Sequence, residues 1–296
     1  MRLNFESLED KHSGESCIIL GPSRSLIKLP NNFKKQKIIA VGDSMIRARN
    51  IVNPDYWVAS NDEFPVPYES CHLKIINFFK KTTFVFADSA LHARLWHYDY
   101  KYLKENIHIN WTTFDERHFR GAKCIPKNKC CDLINLEHRN KMTIQEILAA
   151  KYISKNTASI GGTVAEYAFA LALYLNFKEI TFVGLDIPTK KKDYTYYPDK
   201  MADLIAKKVT KRSKIKYEEY YKNNKKNIKN IIKSKFKKLF DLLNKKSIFA
   251  KDLNLIIKNF EIYSSYAIFS GKKCYYTNLN SNLKMISHFK YKKFIS

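Results

Sequence analysis

Four short apolar runs in the first third of the chain each stop at small or acidic polar residues, and no other feature restricts the fold as strongly. Ser16-Cys17-Ile18-Ile19-Leu20 stops at Gly21-Pro22-Ser23, and Lys37-Ile38-Ile39-Ala40-Val41 stops at Gly42-Asp43-Ser44. The run from Pro54 to Ser60 stops at Asn61-Asp62-Glu63, and Thr83-Phe84-Val85-Phe86-Ala87 stops at Asp88-Ser89. A strand with one wet face alternates apolar and polar residues; these runs do not, so both of their faces need cover. Helical stretches at Leu26–Leu29 and Met45–Asn50 follow the first two runs, and Asp43 or Ser44 stands where a cap for the second belongs. The pattern predicts an α/β protein with a mostly parallel sheet flanked by helices.

The rest of the chain divides by texture. Tyr98 to Lys141 mixes aromatic, histidine and cysteine residues without a period and reads as an insertion or a long loop. A helical stretch, Thr143–Tyr152, follows it. Asn156-Thr157-Ala158-Ser159-Ile160-Gly161-Gly162-Thr163 then opens an apolar helix, Val164–Asn176, which leads into a strand, Glu179–Gly184, that ends at Leu185-Asp186-Ile187-Pro188. From Lys200 to Lys246 lysines alternate with apolar residues at helical spacing, such as Ile228, Ile231, Ile232 and Phe236. A helix is expected over about Lys251–Phe260, then a late strand, Lys273–Tyr276, and a loop, Thr277–Asn282. The expected organisation is a Rossmann-like nucleotide-binding core over residues 1–199, a lysine-rich helical lid or appendage over 200–260, and a return strand and tail over 261–296 that complete the core.

Charge follows the same division. Of the formal net charge of +25, most lies in residues 200–296, where 25 basic residues face 6 acidic ones and Arg212 is the single arginine. Base-specific readout favours the bidentate arginine fork, so a lysine surface suits diffuse attraction to phosphate, which argues against nucleic acid and for an anionic membrane surface. Lysine enrichment from an A/T-biased coding sequence is the competing explanation. No run reaches the roughly 18 apolar residues of a spanning helix, and the polar start Met1–Lys11 lacks the pattern of a secretory signal. These features predict a cytoplasmic chain, peripheral at the inner membrane surface if the lysines bind lipid. The six cysteines are sparse, and Cys124, Cys130 and Cys131 lack the paired spacing of structural zinc sites, so reduced thiols and no metal are expected.

The polar strand ends are where chemistry belongs, because ligands of open α/β sheets bind beyond the carboxyl ends of the strands. In Gly21-Pro22-Ser23-Arg24-Ser25, glycine permits a close backbone approach and serines donate hydrogen bonds. It is neither a Walker loop nor the three-glycine dinucleotide fingerprint. The Ser159–Thr163 segment follows the same logic, and tight helix packing explains its glycines equally well. Asp186 is either a loop-fixing carboxylate or a ligand for a hydroxyl.

Three blocks carry a family resemblance. They are Ile18-Ile19-Leu20-Gly21-Pro22-Ser23-Arg24-Ser25-Leu26, then Thr157-Ala158-Ser159-Ile160-Gly161-Gly162-Thr163, then Phe177-Lys178-Glu179-Ile180-Thr181-Phe182-Val183-Gly184-Leu185-Asp186. In this order they resemble the bacterial sialyltransferases of Rossmann-like fold. They also resemble the related superfamily of motility-associated glycosyltransferases, which modify flagellin with nonulosonic acids, and archaeal pterin diphosphokinase-like proteins.

The resemblance implies that Gly21, Ser23 and Ser25 hold the nucleotide, and that Asp43, Ser44, Asn61 and Asp62 approach donor groups. It implies that Thr157, Ser159, Gly161 and Gly162 lie near the sugar and Asn280 and Ser281 near the nucleotide. Tyr194 matches the second of two family tyrosines that hold the departing phosphate, Pro188 replaces the first, and Lys190, Lys191 and Lys192 lie between them. The family's catalytic histidine has no counterpart, since no histidine lies between His138 and His288; His118, His138 and Asp62 are candidate replacements.

The expectation is therefore a transferase using a nucleotide-activated donor, a CMP-sugar in the first instance, and a hydroxyl of a surface glycan or glycolipid, with Tyr194 and Asp186 as catalytic residues and no cofactor. The alternatives are a pterin diphosphokinase-like pyrophosphotransferase using ATP and Mg2+, and a non-catalytic nucleic-acid binder acting through the basic last third. The first reading requires loops at Gly21, Asp43, Asn61, Gly161 and Asp186 to converge.

Overall fold

The computed structural model describes residues 3, 5–29, 33–59, 81–87, 110–114, 164–187, 195–204, 256–257, 260–261 and 263–293. Its strands are β1 (Ser16–Leu20), β2 (Lys37–Val41), β3 (Tyr56–Ala59), β4 (Thr83–Ala87), β5 (Asn110–Phe114), β6 (Glu179–Val183), β7 (Lys273–Tyr276) and β8 (Phe289–Tyr291). They form one eight-stranded sheet in the order β5-β4-β3-β2-β1-β6-β7-β8. Each neighbouring pair is parallel, with Cys17 opposite both Lys37 and Ile180 at the centre. This is the α/β, Rossmann-like architecture that the apolar runs predict.

Cover on both faces explains why the central strands are apolar throughout. Cys17, Ile19, Ile39, Val41, Val58, Ile180 and Phe182 point into one cluster. There they meet α2 (Val164–Tyr174), all of whose side chains are buried, and the helical residues 263–269. Ile18, Leu20, Ile38 and Val183 point the other way, against Leu26 of the 3-10 turn Arg24–Lys28 and against Ala48 and Val52, which follow α1 (Ser44–Arg47). The first layer is rich in rings: Phe169 and Phe182 meet edge to face at 5.1 Å, and Phe182 stacks on Phe289 at 5.1 Å. Each fully buried ring contributes about 1.5–3 kcal/mol by leaving water.

Three elements differ from the sequence reading. Residues 110–114, expected within an irregular insertion, form the edge strand β5, and a short strand, β8, follows the late loop. The helix expected over Met45–Asn50 is the single turn Ser44–Arg47. β7 and β8 extend the same sheet as β1 to β6, whereas most of residues 200–260 lie outside the described residues. Among the described residues no helix is long and apolar enough to cross a membrane.

Candidate active site

Strand order locates the place where a ligand-binding crevice belongs. From β1 the sheet grows one way through β2 to β5, and β6 returns to the other flank of β1. The connections leaving β1 and β6 therefore diverge, and it is at such a switch point, beyond the carboxyl ends of the strands, that open α/β sheets bind their ligands. The loops that meet there are residues 21–25, 42–44, 184–187 and 277–282.

Glycine builds the floor. Gly21 and Gly184 lie so close that a Cβ on Gly21 would stand 2.3 Å from the Gly184 oxygen, and one on Gly184 would stand 2.4 Å from the Gly21 oxygen. Gly184 also has φ +69°, a conformation that side chains disfavour. The close approach that Gly21 permits is thus to the protein's own backbone. Gly21 N–H donates to Val183 O at 2.8 Å and Ser23 N–H to Gly184 O at 2.8 Å, which welds the two loops together.

Asp186 is the hub above this floor. Its carboxylate accepts from the Ser25 hydroxyl at 2.6 Å, the Ser25 N–H at 3.3 Å and the Asn278 amide at 2.6 Å. Its own N–H donates to Ser23 Oγ at 3.1 Å. One side chain therefore joins the loops after β1, β6 and β7. Ser281 adds a second tie: its hydroxyl donates to Leu185 O at 3.0 Å and accepts from Leu283 N at 3.3 Å, capping a short 3-10 turn. Asn280 is exposed on the same loop, and its N–H donates to Asn278 Oδ1 at 3.2 Å.

Arg47 organises the other flank. The Ser44 hydroxyl donates to Leu20 O at 2.8 Å and accepts from Val41 N at 2.8 Å, holding α1 against the end of β1. From that turn the buried Arg47 reaches Asp43 Oδ2 through Nε at 2.8 Å, Asp203 at 2.9 Å and the Tyr197 carbonyl at 2.6 Å. Its guanidinium lies 4.6 Å from the centre of the Tyr196 ring. Arg49 pairs with Asp199 at 2.5 Å. The same crosspiece, residues 195–204, is stitched to the β1 loop: Tyr197 N–H donates to Pro22 O and Arg24 N–H to Thr195 O. Burial raises the Asp43 carboxyl above its ordinary pKa, and Arg47 opposes that shift without cancelling it.

The structure therefore brings Gly21, Ser23, Ser25, Asp43, Ser44, Asp186, Asn280 and Ser281 to one edge of the sheet. Asn61, Asp62, Thr157, Ser159, Gly161, Gly162 and Tyr194 lie outside the described residues, as do Lys190, Lys191, Lys192, His118 and His138. Sequence reasoning missed Arg47, Asn278, Asp199 and Asp203. Arg47 carried a signal, standing four residues after Asp43 at the spacing of a helical ion pair. Among the described residues no group of three or more His, Cys, Asp or Glu side chains is placed to hold a metal. A groove of about 620 Å³ opens at the opposite edge, between Phe33, Ile38, Ile51 and the Lys37–Asp55 pair.

Comparison with known proteins gives likeness at low identity. No family model matches the chain, and no curated relative matches it. Among solved structures it is similar to the sialyltransferase CST-II in complex with CMP, with TM-score 0.46 and 15% identity over 95% of this chain and 89% of that one. The sialyltransferase CstII from Campylobacter jejuni in complex with CMP-3FNeuAc gives TM-score 0.43 and 16% identity over 93% and 86%. The MAf glycosyltransferase from Magnetospirillum magneticum AMB-1 gives TM-score 0.32 and 13% identity over 62% of this chain, and the match spans only 24% of that protein.

Proposed function

We propose that this chain is a glycosyltransferase that binds a nucleotide-activated sugar in the crevice between the carboxyl ends of β1 and β6 and moves the sugar to a hydroxyl acceptor. The observation that carries this reading is the Asp186 hub, which fixes the loops after β1, β6 and β7 at the switch point of a parallel sheet. A site that transfers a group must hold donor and acceptor in register, and rigid loop ends supply that. The first and last blocks of the motif resemblance fall on these loops and make a CMP-sugar the first donor to test.

Within this reading Ser23 and Ser25 shape the nucleotide side of the crevice, with the exposed Arg24 beside them. Asn280 and Ser281 close it from the β7 side. Asp186 acts as a positioning residue, because its oxygens are engaged by Ser25 and Asn278. Tyr194 remains the candidate partner of the departing phosphate, and the lysine-rich last third the candidate contact to an anionic membrane, with a cytoplasmic location.

A thermal-shift screen against CMP, UDP, GDP and ATP tests the reading. The cognate nucleotide at a hundredfold excess over Kd stabilises by about 2.7 kcal/mol. Metal-independent release of CMP from a CMP-sugar supports a glycosyltransferase. Magnesium-dependent release of AMP from ATP replaces it with a pyrophosphotransferase.

A further inference from the structure

The geometry points to Asp43 as the general base that takes the proton from the acceptor hydroxyl; this assignment rests on the glycosyltransferase reading above. The motif resemblance leaves the base unassigned, and the described carboxylates at this edge differ in how they are used. Asp186 accepts three hydrogen bonds. Asp199 is held by Arg49 and also accepts the Ala202 N–H at 2.8 Å. Asp203, within the crosspiece, pairs with Arg47 at 2.9 Å and has 53% of its side chain exposed. Asp43 stands at the end of β2, beside the β1 loop that Ser44 grips.

Three properties suit Asp43 to the role. Apart from its own backbone, its described hydrogen-bond partner is Arg47, which takes Oδ2 and fixes the orientation of the carboxylate. The side chain is still 31% exposed, so a substrate hydroxyl has access to it. Its proton affinity is raised, and a stronger base accepts a proton more readily in the transition state. The charged groups that face it are Arg47 and Asp203; Arg47 lowers its pKa by hydrogen bond and charge, and Asp203 raises it by repulsion.

The step balances as follows. The acceptor oxygen forms a bond to the anomeric carbon, the bond from that carbon to the donor's phosphate oxygen breaks, and its electron pair leaves with the nucleotide. The acceptor proton passes to Asp43, which then loses it to water.

The test uses the full chain and a panel of CMP-, UDP- and GDP-sugars, with water as acceptor, following nucleotide release. Asp43→Asn is expected to lower kcat at least a hundredfold, change the donor KM less than threefold, and abolish the acidic limb of the pH–rate profile. Asp203→Asn removes a repulsion that raises the Asp43 pKa, so the limb moves to lower pH. Retention of nucleotide binding by Asp43→Asn, read by thermal shift, shows that the variant is folded. Near-normal kcat in Asp43→Asn, or an unmoved limb in Asp203→Asn, overturns the assignment and leaves the transferase reading standing. A wild-type chain that binds none of the nucleotides overturns both.

Discussion

The two edges of the sheet are closed by different chemistry. At the amino edge the ties are mainly backbone bonds and a ring stack. Lys178 N–H donates to Glu15 O, and Lys273 N–H to Lys178 O. His12 lies flat on Phe177 at 4.9 Å between Glu15 and the Tyr56 hydroxyl. At the carboxyl edge the ties run through charged hubs, Asp186 and the buried Arg47. Partly burying charges costs desolvation that packed apolar groups avoid, so stability alone does not favour this solution. The difference teaches that the amino edge is built to hold and the carboxyl edge to present: its hubs order loops that must stay polar.

Substitutions that act on one edge and not the other test the comparison, and the largest effect belongs to the shared floor. Gly184→Ala places a Cβ 2.4 Å from the Gly21 oxygen at φ +69°, and the contact is with backbone, which cannot rotate away. A loss of about 3 kcal/mol or more in denaturant-measured stability is expected. A loss below about 1 kcal/mol would show that the two loops are not welded.

At the amino edge, Tyr56→Phe sharpens the contrast. Burial pushes the Tyr56 phenol well above its ordinary pKa, with the Asp55 and Glu15 carboxylates adding, so its hydroxyl stays protonated and pairs with His12 Nε2 at 2.7 Å. Removing it leaves a buried ring nitrogen without its partner, at about 1–3 kcal/mol. Nucleotide affinity should not change. If affinity fell along with stability, the division between the edges would fail.

At the carboxyl edge, Asp186→Asn preserves shape and weakens charge-assisted hydrogen bonds. A stability loss of about 1–1.5 kcal/mol accompanies a drop in nucleotide affinity of tenfold or more, measured by calorimetry. The reverse ranking, stability lost and affinity kept, would make the hub structural only.

How far these features were legible from the chain depends on how local their causes are. β1, β2, β3, β4 and β6 were readable because a strand covered on both faces writes itself as an unbroken apolar run, and β7 was readable from the short run Cys274-Tyr275-Tyr276 although its burial alternates. β5 was not, because Asn110-Trp111-Thr112-Thr113-Phe114 is half polar and sits at the sheet edge. β8 is three residues, too short for any period. Asp186 and Ser25 were each marked by their position after a strand, but the bond between them spans 161 residues, and only strand order reveals it. Gly21 was read for its tolerance of close approach, while the group that approaches, Gly184 O, lies in a loop remote in sequence.

The smallest expected effect bounds what a surface charge does at the amino edge. Lys37 Nζ pairs with Asp55 Oδ1 at 3.1 Å, and both side chains keep about a third of their surface in water, at 37% and 34%. Asp55 has a second task, accepting the Ile38 N–H at 2.9 Å, so the informative substitution is on the lysine. Lys37→Ala removes the exposed pair and leaves the backbone bond, which predicts a loss between zero and about 1 kcal/mol in urea titration at low salt. Screening shrinks an exposed pair, so the loss should fade as ionic strength rises. A loss of several kcal/mol that persists in high salt would mean that the amino edge, too, hangs on a charged hub, and the contrast with the carboxyl edge would not survive.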